Sequence, residues 1–332
     1  MTVFRPLALG LVGLAFAANA FAGGDAKHAH GPEEGWPFEG ATGQFEMDSV
    51  QRGYQVYKEV CSSCHGMKLM SYRNLGEATG PFYDPAYPNA NDNPYVKAIA
   101  ADNEILDTSP NEVGDYDFRP ARPSDTFRSP YANDAQARAS NNGALPPDLS
   151  VITKARHGGA SYVYSLLTGY VPEEAYSSVE IAPASDGGTP DDTSDDTRAV
   201  FETRIDVSKL HDDDGHGDTH AEGYIIETPG QYYNPYMAGD TTANFVGDPR
   251  HSPKGGFLAM TAPLLPDRVT YNDGTEATVS QMAYDVSQFL AWAGEPKQEN
   301  RKSLGLAVLG YLFVLAILLW FSYKRIWRKI EH

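Results

Sequence analysis

The sequence predicts a mainly α protein with long irregular loops and one C-terminal transmembrane helix. Three observations carry that prediction. Leu304 to Tyr323 runs 20 residues without a charge, and at about 1.5 Å of rise per residue such a helix covers one bilayer core, about 30 Å. Helical periodicity with recognisable ends is confined to a few stretches, chiefly 48–60, 161–168 and 278–293. The 23 Pro, 31 Gly and 20 Tyr imply loops and aromatic packing rather than a regular bundle or sheet. A length of 332 residues allows one large domain or two small ones. The formal net charge of -18 argues against a nucleic-acid-binding surface and fits a basic partner.

Residues 1–22 have the features of a secretory signal: Arg5, an apolar run from Leu7 to Ala18, and Ala20-Phe21-Ala22 before Gly23. An N-terminal membrane anchor is the alternative, but the run is short for a span. Gly23 to Gln44 reads as an irregular arm packed by Trp36-Pro37-Phe38, with His28 and His30 on a solvated terminus rather than on a metal. Asp48 to Val60 is a predicted helix with Asp48 as its N-cap, and Tyr54, Tyr57 and Cys61 fall on its inner face at i, i+3 and i+7. Gly53 costs that helix about 1 kcal/mol relative to Ala, a cost tolerated where another helix must approach closely.

The helix runs into Cys61-Ser62-Ser63-Cys64-His65, a C-x-x-C-H sequence. Two thiols at this spacing can each form a thioether to a porphyrin edge, and the following imidazole can ligate the iron, as in c-type haem attachment. A disulfide, half a zinc site and a thioredoxin-like pair are the competing readings. Zinc needs two more ligands at their own spacing, and the redox pair needs a βαβ setting that is not visible nearby. Export and haem attachment support each other, because bacterial c-type haem is attached outside the inner membrane.

Residues 66–138 read as loops round the haem edge. Within Phe118-Arg119-Pro120-Ala121-Arg122-Pro123, Arg119 and Arg122 could meet haem propionates through the planar guanidinium or pair with nearby acids. In NNGALPPDLS, starting at Asn141, Pro146 and Pro147 stiffen a stretch whose carbonyl could accept the His65 Nδ1 hydrogen. A short helix is expected over Ser161–Thr168, ended by Gly169; His157 before it reads as a turn residue. From 173 to 222 the chain changes character. Residues 171–220 hold 14 acidic and 3 basic residues, net -11 of the -18. This stretch reads as an acidic surface insertion with little that could build a core, and EF-hand spacing fails in it. Order is expected to return at Tyr224.

A methionine thioether could close the iron's sixth position. Met67 and Met70 lie too close in sequence to His65 to cross to the other haem face, and Met47 and Met282 sit at or on core helices. Met260, between glycines and Pro263, and Met237 are left, Met260 being the better placed. Thr278–Ala293 is the last soluble helix: Thr278 and Gln281 match a capping box, and Gly294 and Pro296 stop it. In small c-type cytochromes the first helix crosses the last, and Gly53 is expected at that crossing. Trp320 and Tyr323 anchor the predicted span at 301–323, and Lys324, Arg325, Arg328 and Lys329 mark 324–332 as a cytoplasmic flank.

WPFEG at 36, QRGYQVYKEVCSSCHGMK at 51, RPARPSD at 119, ARASNNGALPPDLS at 137, ARHGGASYVYSLLTGY at 155, YNPY at 233, AMTAPL at 259 and YNDGTEATVSQMAYDVSQFLAWAGEP at 271 together resemble the cytochrome c1 family, the c-haem subunit of the bacterial cytochrome bc1 complex. The resemblance implies a cytochrome c-like haem domain over 23–300, one covalent haem c on Cys61 and Cys64, His65 and Met260 as axial ligands, and Arg119 at a propionate. It also implies partners: cytochrome b, the Rieske iron–sulfur protein as donor and a cytochrome c as acceptor. The haem domain would be periplasmic, on an inner-membrane anchor. Six-coordinate His/Met iron leaves no open position, so a relay without substrate chemistry of its own is expected. A stand-alone tethered shuttle or oxidase subunit, and a haem enzyme such as a peroxidase, are the alternatives. The acidic insertion departs from compact members of the family.

Overall fold

A computed structural model describes residues 26–182, 200–210 and 222–328. The predicted signal, the acidic runs at 191–196 and 212–214, three histidines (His211, His216, His220) and Lys329 lie outside them.

Seven α-helices are described: α1 (Met47–Glu59), α2 (Pro94–Ala101), α3 (Asp134–Ser140), α4 (Ile152–Ala155), α5 (Gly159–Thr168), α6 (Val279–Gly294) and α7 (Gln298–Trp327). The main core gathers α1, α5 and α6 around Tyr54, Tyr57, Phe127, Phe289 and Trp292. Gly53 sits where α1 crosses α6, as its sequence position implied. A Cβ there would lie 2.6 Å from the Asp285 carbonyl carbon and 2.7 Å from Phe289 Cβ, so only glycine allows this approach. The crossing is also polar. The fully buried Asp285 carboxylate accepts from Ser49 Oγ at 2.6 Å, Arg52 Nε at 3.0 Å and Gln281 Nε2 at 3.1 Å.

Helix α5 starts at Gly159, two residues before the expected Ser161, and capping differs from expectation at α1 and α6. Helix α1 begins at Met47 after Glu46, which makes no side-chain cap, so Asp48 lies in the first turn and there favours the positive end of the helix dipole. In α6, Thr278 Oγ1 accepts from the Gln281 amide at 3.1 Å. The Gln281 side chain turns inward to Asp285 rather than closing the box, because a buried carboxylate needs its donors more than an exposed amide does.

The acidic stretch builds more than expected. Strands β3 (Tyr176–Ala182), β4 (Val200–Asp206), β5 (Gly223–Glu227) and β7 (Phe245–Gly247) form a four-stranded antiparallel sheet in the order β3-β4-β5-β7. A second core lies beneath it, made by Ala175, Ile205, Val207, Ile225, Tyr233 and Phe245. Strands β6 (Tyr232–Asn234) and β8 (Gly256–Leu258) pair beside it, and Tyr233 joins the two units. Strands β1 (Glu104–Leu106) and β2 (Phe118–Pro120) form a separate hairpin.

The N-terminal arm is not a solvated tail. His30 packs edge-on against Tyr164 and Tyr236 and shares a 3.0 Å hydrogen bond with the Tyr236 hydroxyl, while Trp36 stacks on Phe38 and Tyr284. Aromatic pairing makes an arm with little regular structure a fixed part of the core.

Helix α7 is long and apolar enough to cross a membrane. It begins before the uncharged run, and its first turn is tied to the globular part. The Glu299 carboxylate accepts from the Phe45 amide at 2.9 Å, Gln298 Nε2 donates to the Phe38 carbonyl at 2.8 Å, and Lys302 Nζ donates to the same carbonyl at 2.5 Å. Glu295, just before α7, holds Arg301 and, at 2.6 Å, Lys154.

Candidate haem-attachment site

After Glu59 the chain tightens into a 3-10 turn over Cys61–Ser63. The amides of Cys64 and His65 both donate to the Cys61 carbonyl, at 3.1 and 2.9 Å. This turn carries both thiols and the imidazole on one short loop. The Tyr57 hydroxyl donates to the His65 carbonyl at 3.2 Å, so α1 fixes the loop from below.

The His65 ring is held from the other side. Its Nδ1 lies 2.8 Å from the Pro147 carbonyl, the partner the Pro-Pro sequence pointed to. The Pro147 segment is itself zipped to the residues after the motif. Leu149 donates its amide to Gly66 at 2.9 Å, Asp148 accepts from the Lys68 amide at 2.8 Å, and Ser150 Oγ accepts from the Leu69 amide at 3.0 Å. A neutral ring that donates from Nδ1 has its lone pair on Nε2, the tautomer a metal ligand needs. Burial lowers the imidazole's proton affinity, with the Pro147 carbonyl and Asp148 opposing.

Both cysteines are free and partly buried. Burial, with Cys64 adding, pushes the Cys61 thiol up to about 12. That is far from the depressed value a thioredoxin-type nucleophile requires. Among the described residues, no group of three or more His, Cys, Asp or Glu is arranged to hold a metal. The donors fit a haem instead: two thiols two residues apart for the porphyrin edge and an oriented imidazole for the iron.

Met260 follows β8 by two residues, partly exposed. The glycines before it are there for close backbone packing: a Cβ on Gly256 would lie 2.8 Å from the Gly239 Cα, and one on Gly255 2.6 Å from the Asn234 carbonyl oxygen. The Tyr170 hydroxyl donates to the Met260 carbonyl at 3.0 Å. Met237 differs in that its sulfur faces the Tyr162 hydroxyl at 3.9 Å. Met67, Met70 and Met282 are buried in the main core, and Met47 packs against it.

Arg119 lies on β2 and forks onto Asp125, with Nη1 at 2.7 Å and Nη2 at 3.1 Å; its Nε is 3.4 Å from Asp107. That Nε is buried without a hydrogen bond. Arg122 is exposed and gives its backbone amide to Asp125 at 2.7 Å. His157 is exposed. The inner-face position of Tyr57 was legible but its bond to the His65 carbonyl was not, and Asp148 and Tyr170 carried no signal because their partners lie 80 and 90 residues away.

The sequence profile of the Cytochrome C1 family matches residues 36–330. Cytochrome c1 of Rhodospirillum rubrum is 36% identical over 316 residues, 95% of this chain and 93% of that protein. "Cytochrome c1 1, heme protein, mitochondrial" of Arabidopsis thaliana is 35% identical over 326 residues, 97% of this chain and 81% of that protein. "Cytochrome b/c1" of Bradyrhizobium diazoefficiens is 36% identical over 296 residues, which are 89% of this chain but 35% of that longer protein; the chain spans about a third of it.

Proposed function

The chain belongs to the cytochrome c1 family, and on that premise we propose that it relays electrons from a Rieske iron–sulfur protein to a cytochrome c, beside cytochrome b in a membrane complex. The observation that carries the reading is the oriented imidazole: His65 follows two attachment cysteines and is aimed by the Pro147 carbonyl at 2.8 Å. A covalently bound haem c supplies a one-electron iron couple. Cys61 and Cys64 hold it through thioethers, and His65 offers Nε2 to the iron. Met260 is the proposed sixth ligand. Its support is a segment whose backbone is fixed by β8 and by the Tyr170 hydroxyl, while Met237's sulfur already faces a hydroxyl. With His65 and Met260 both given to the iron, the group would offer a substrate no place, and the chain's residues would bind, orient and shield it.

For Arg119 the proposal is narrow. Its guanidinium already forks onto Asp125 and its buried Nε faces Asp107 at 3.4 Å, so a propionate would share it with two carboxylates of the chain. Residues 1–22 export the chain, α7 anchors it, the haem domain faces the periplasm, and the basic flank from Lys324 stays in the cytoplasm.

Two measurements test the reading. Purification in mild detergent is expected to bring down a cytochrome b and a Rieske protein; recovery of the chain alone favours a tethered shuttle. Met260→Leu is expected to lower the reduction potential strongly and Met237→Leu to leave it nearly unchanged. The reverse result reassigns the ligand.

A further inference from the structure

Met260 hangs beyond the sheet that delivers it. The last ladder pair of β6 and β8 is Tyr232 with Leu258. Two residues later, past the end of the ladder, the Met260 carbonyl has no strand partner. The Tyr170 hydroxyl supplies one at 3.0 Å, from a residue 90 positions away. Tyr170 immediately follows Gly169, the C-cap of α5. A side chain at residue 169 would overlap the Tyr236 ring, with a Cβ 2.5 Å from Cδ2, so the end of α5 is locked against the turn that follows β6. The phenol therefore projects from a fixed helix end onto a carbonyl that backbone pairing no longer holds.

From this geometry we infer that Tyr170 is a positioning residue for the sixth ligand: its hydroxyl clamps the Met260 backbone so that the thioether is presented in one place. This rests on the reading of Met260 as that ligand. The clamp sets how readily the thioether leaves the iron. Losing a neutral hydrogen bond of this kind weakens the held state about 3- to 10-fold.

The test uses the full-length, haem-loaded protein in detergent. Exogenous imidazole is titrated against the ferric form, and the near-infrared sulfur-to-iron charge-transfer band is followed. Tyr170→Phe keeps the ring and removes only the hydroxyl. It is expected to retain the band without imidazole and to lower the displacing concentration about 3- to 10-fold. Tyr162→Phe, the same deletion within α5 but facing Met237, is expected to leave it unchanged. An unchanged displacing concentration in Tyr170→Phe overturns the inference, as does an equal fall in both variants, which is general loosening. Met260→Leu separates the two levels. If it abolishes the band while Tyr170→Phe is silent, the ligand stands and the clamp falls. If the band survives in Met260→Leu, the ligand assignment itself has failed.

Discussion

Replacing Gly53 by alanine tests the helix crossing that carries the attachment loop. The added Cβ would sit 2.6 Å from the Asp285 carbonyl carbon and 2.7 Å from Phe289 Cβ. Carbon atoms pack at about 3.5–4.0 Å, so α1 and α6 must part by about 1 Å. The neighbour on one side is helix backbone, which cannot rotate away as a side-chain tip can. Alanine favours the helix itself by about 1 kcal/mol, whereas overpacking costs about 1–3 kcal/mol and occasionally more. Parting the helices also lengthens the bonds that Asp285 receives from Ser49 and Arg52, both on α1. The expected net loss is about 2 kcal/mol, a fall of about 4–8 °C in Tm for a domain of this size. Scans at one rate in one detergent, following far-UV dichroism, measure it. Gly310→Ala is the control, since nothing lies within 4 Å of a Cβ there. An unchanged or higher Tm for Gly53→Ala, with Gly310→Ala neutral, would refute the packing argument.

Other expectations concern charge. Arg52→Ala strands the fully buried Asp285 carboxylate and is expected to cost about 3–5 kcal/mol. Asp273→Asn removes the charge of Arg52's surface partner, 2.9 Å away, while keeping an oxygen for the Thr275 amide, and is expected to cost about 0–1 kcal/mol; denaturant unfolding compares them. The Glu295 carboxyl is held below its ordinary value, chiefly by Arg301, with burial opposing and Lys154 adding. Its folded-state value is depressed, so its stabilisation is complete above the ordinary value of 4.5 and is lost as pH falls through the lower folded value. Glu295→Gln is expected to flatten the fall in Tm over that acid range relative to the parent. If the Arg119 guanidinium serves a propionate, Arg119→Lys shifts the reduction potential while Asp125→Ala mainly lowers Tm; equal effects on both readouts would leave Arg119 a structural residue.

Signals carried by a motif were legible, even across the 82 residues from His65 to Pro147, and distant pairings without a motif were not. C-x-x-C-H, the Pro147 carbonyl, Gly53 and the uncharged 20-residue run are each written in consecutive residues. The second core is not. Ile205 and Ile225 come from strands 20 residues apart, surrounded by acids that dominate the composition. A three-residue strand such as β8 is too short to show alternation. His30 reads as a terminal histidine until α5 and the Tyr236 turn close over it. Arg119 was expected to look for a carboxylate, and it holds one from its own chain, six residues on. Arg52 and Asp285 lie 233 positions apart, so nothing in either neighbourhood announced their pair.

The tie between α7 and the 38–45 turn decides what kind of attachment the anchor makes. A pliable linker gives a domain a search volume that grows with linker length. Here the first helical turn is already bonded to Phe38 and Phe45, so no such slack exists at the junction. With α7 in a bilayer, the attachment loop rides on a bracket rather than a leash. Its position relative to the first turn of α7 is set by the fold and not by the length of a linker.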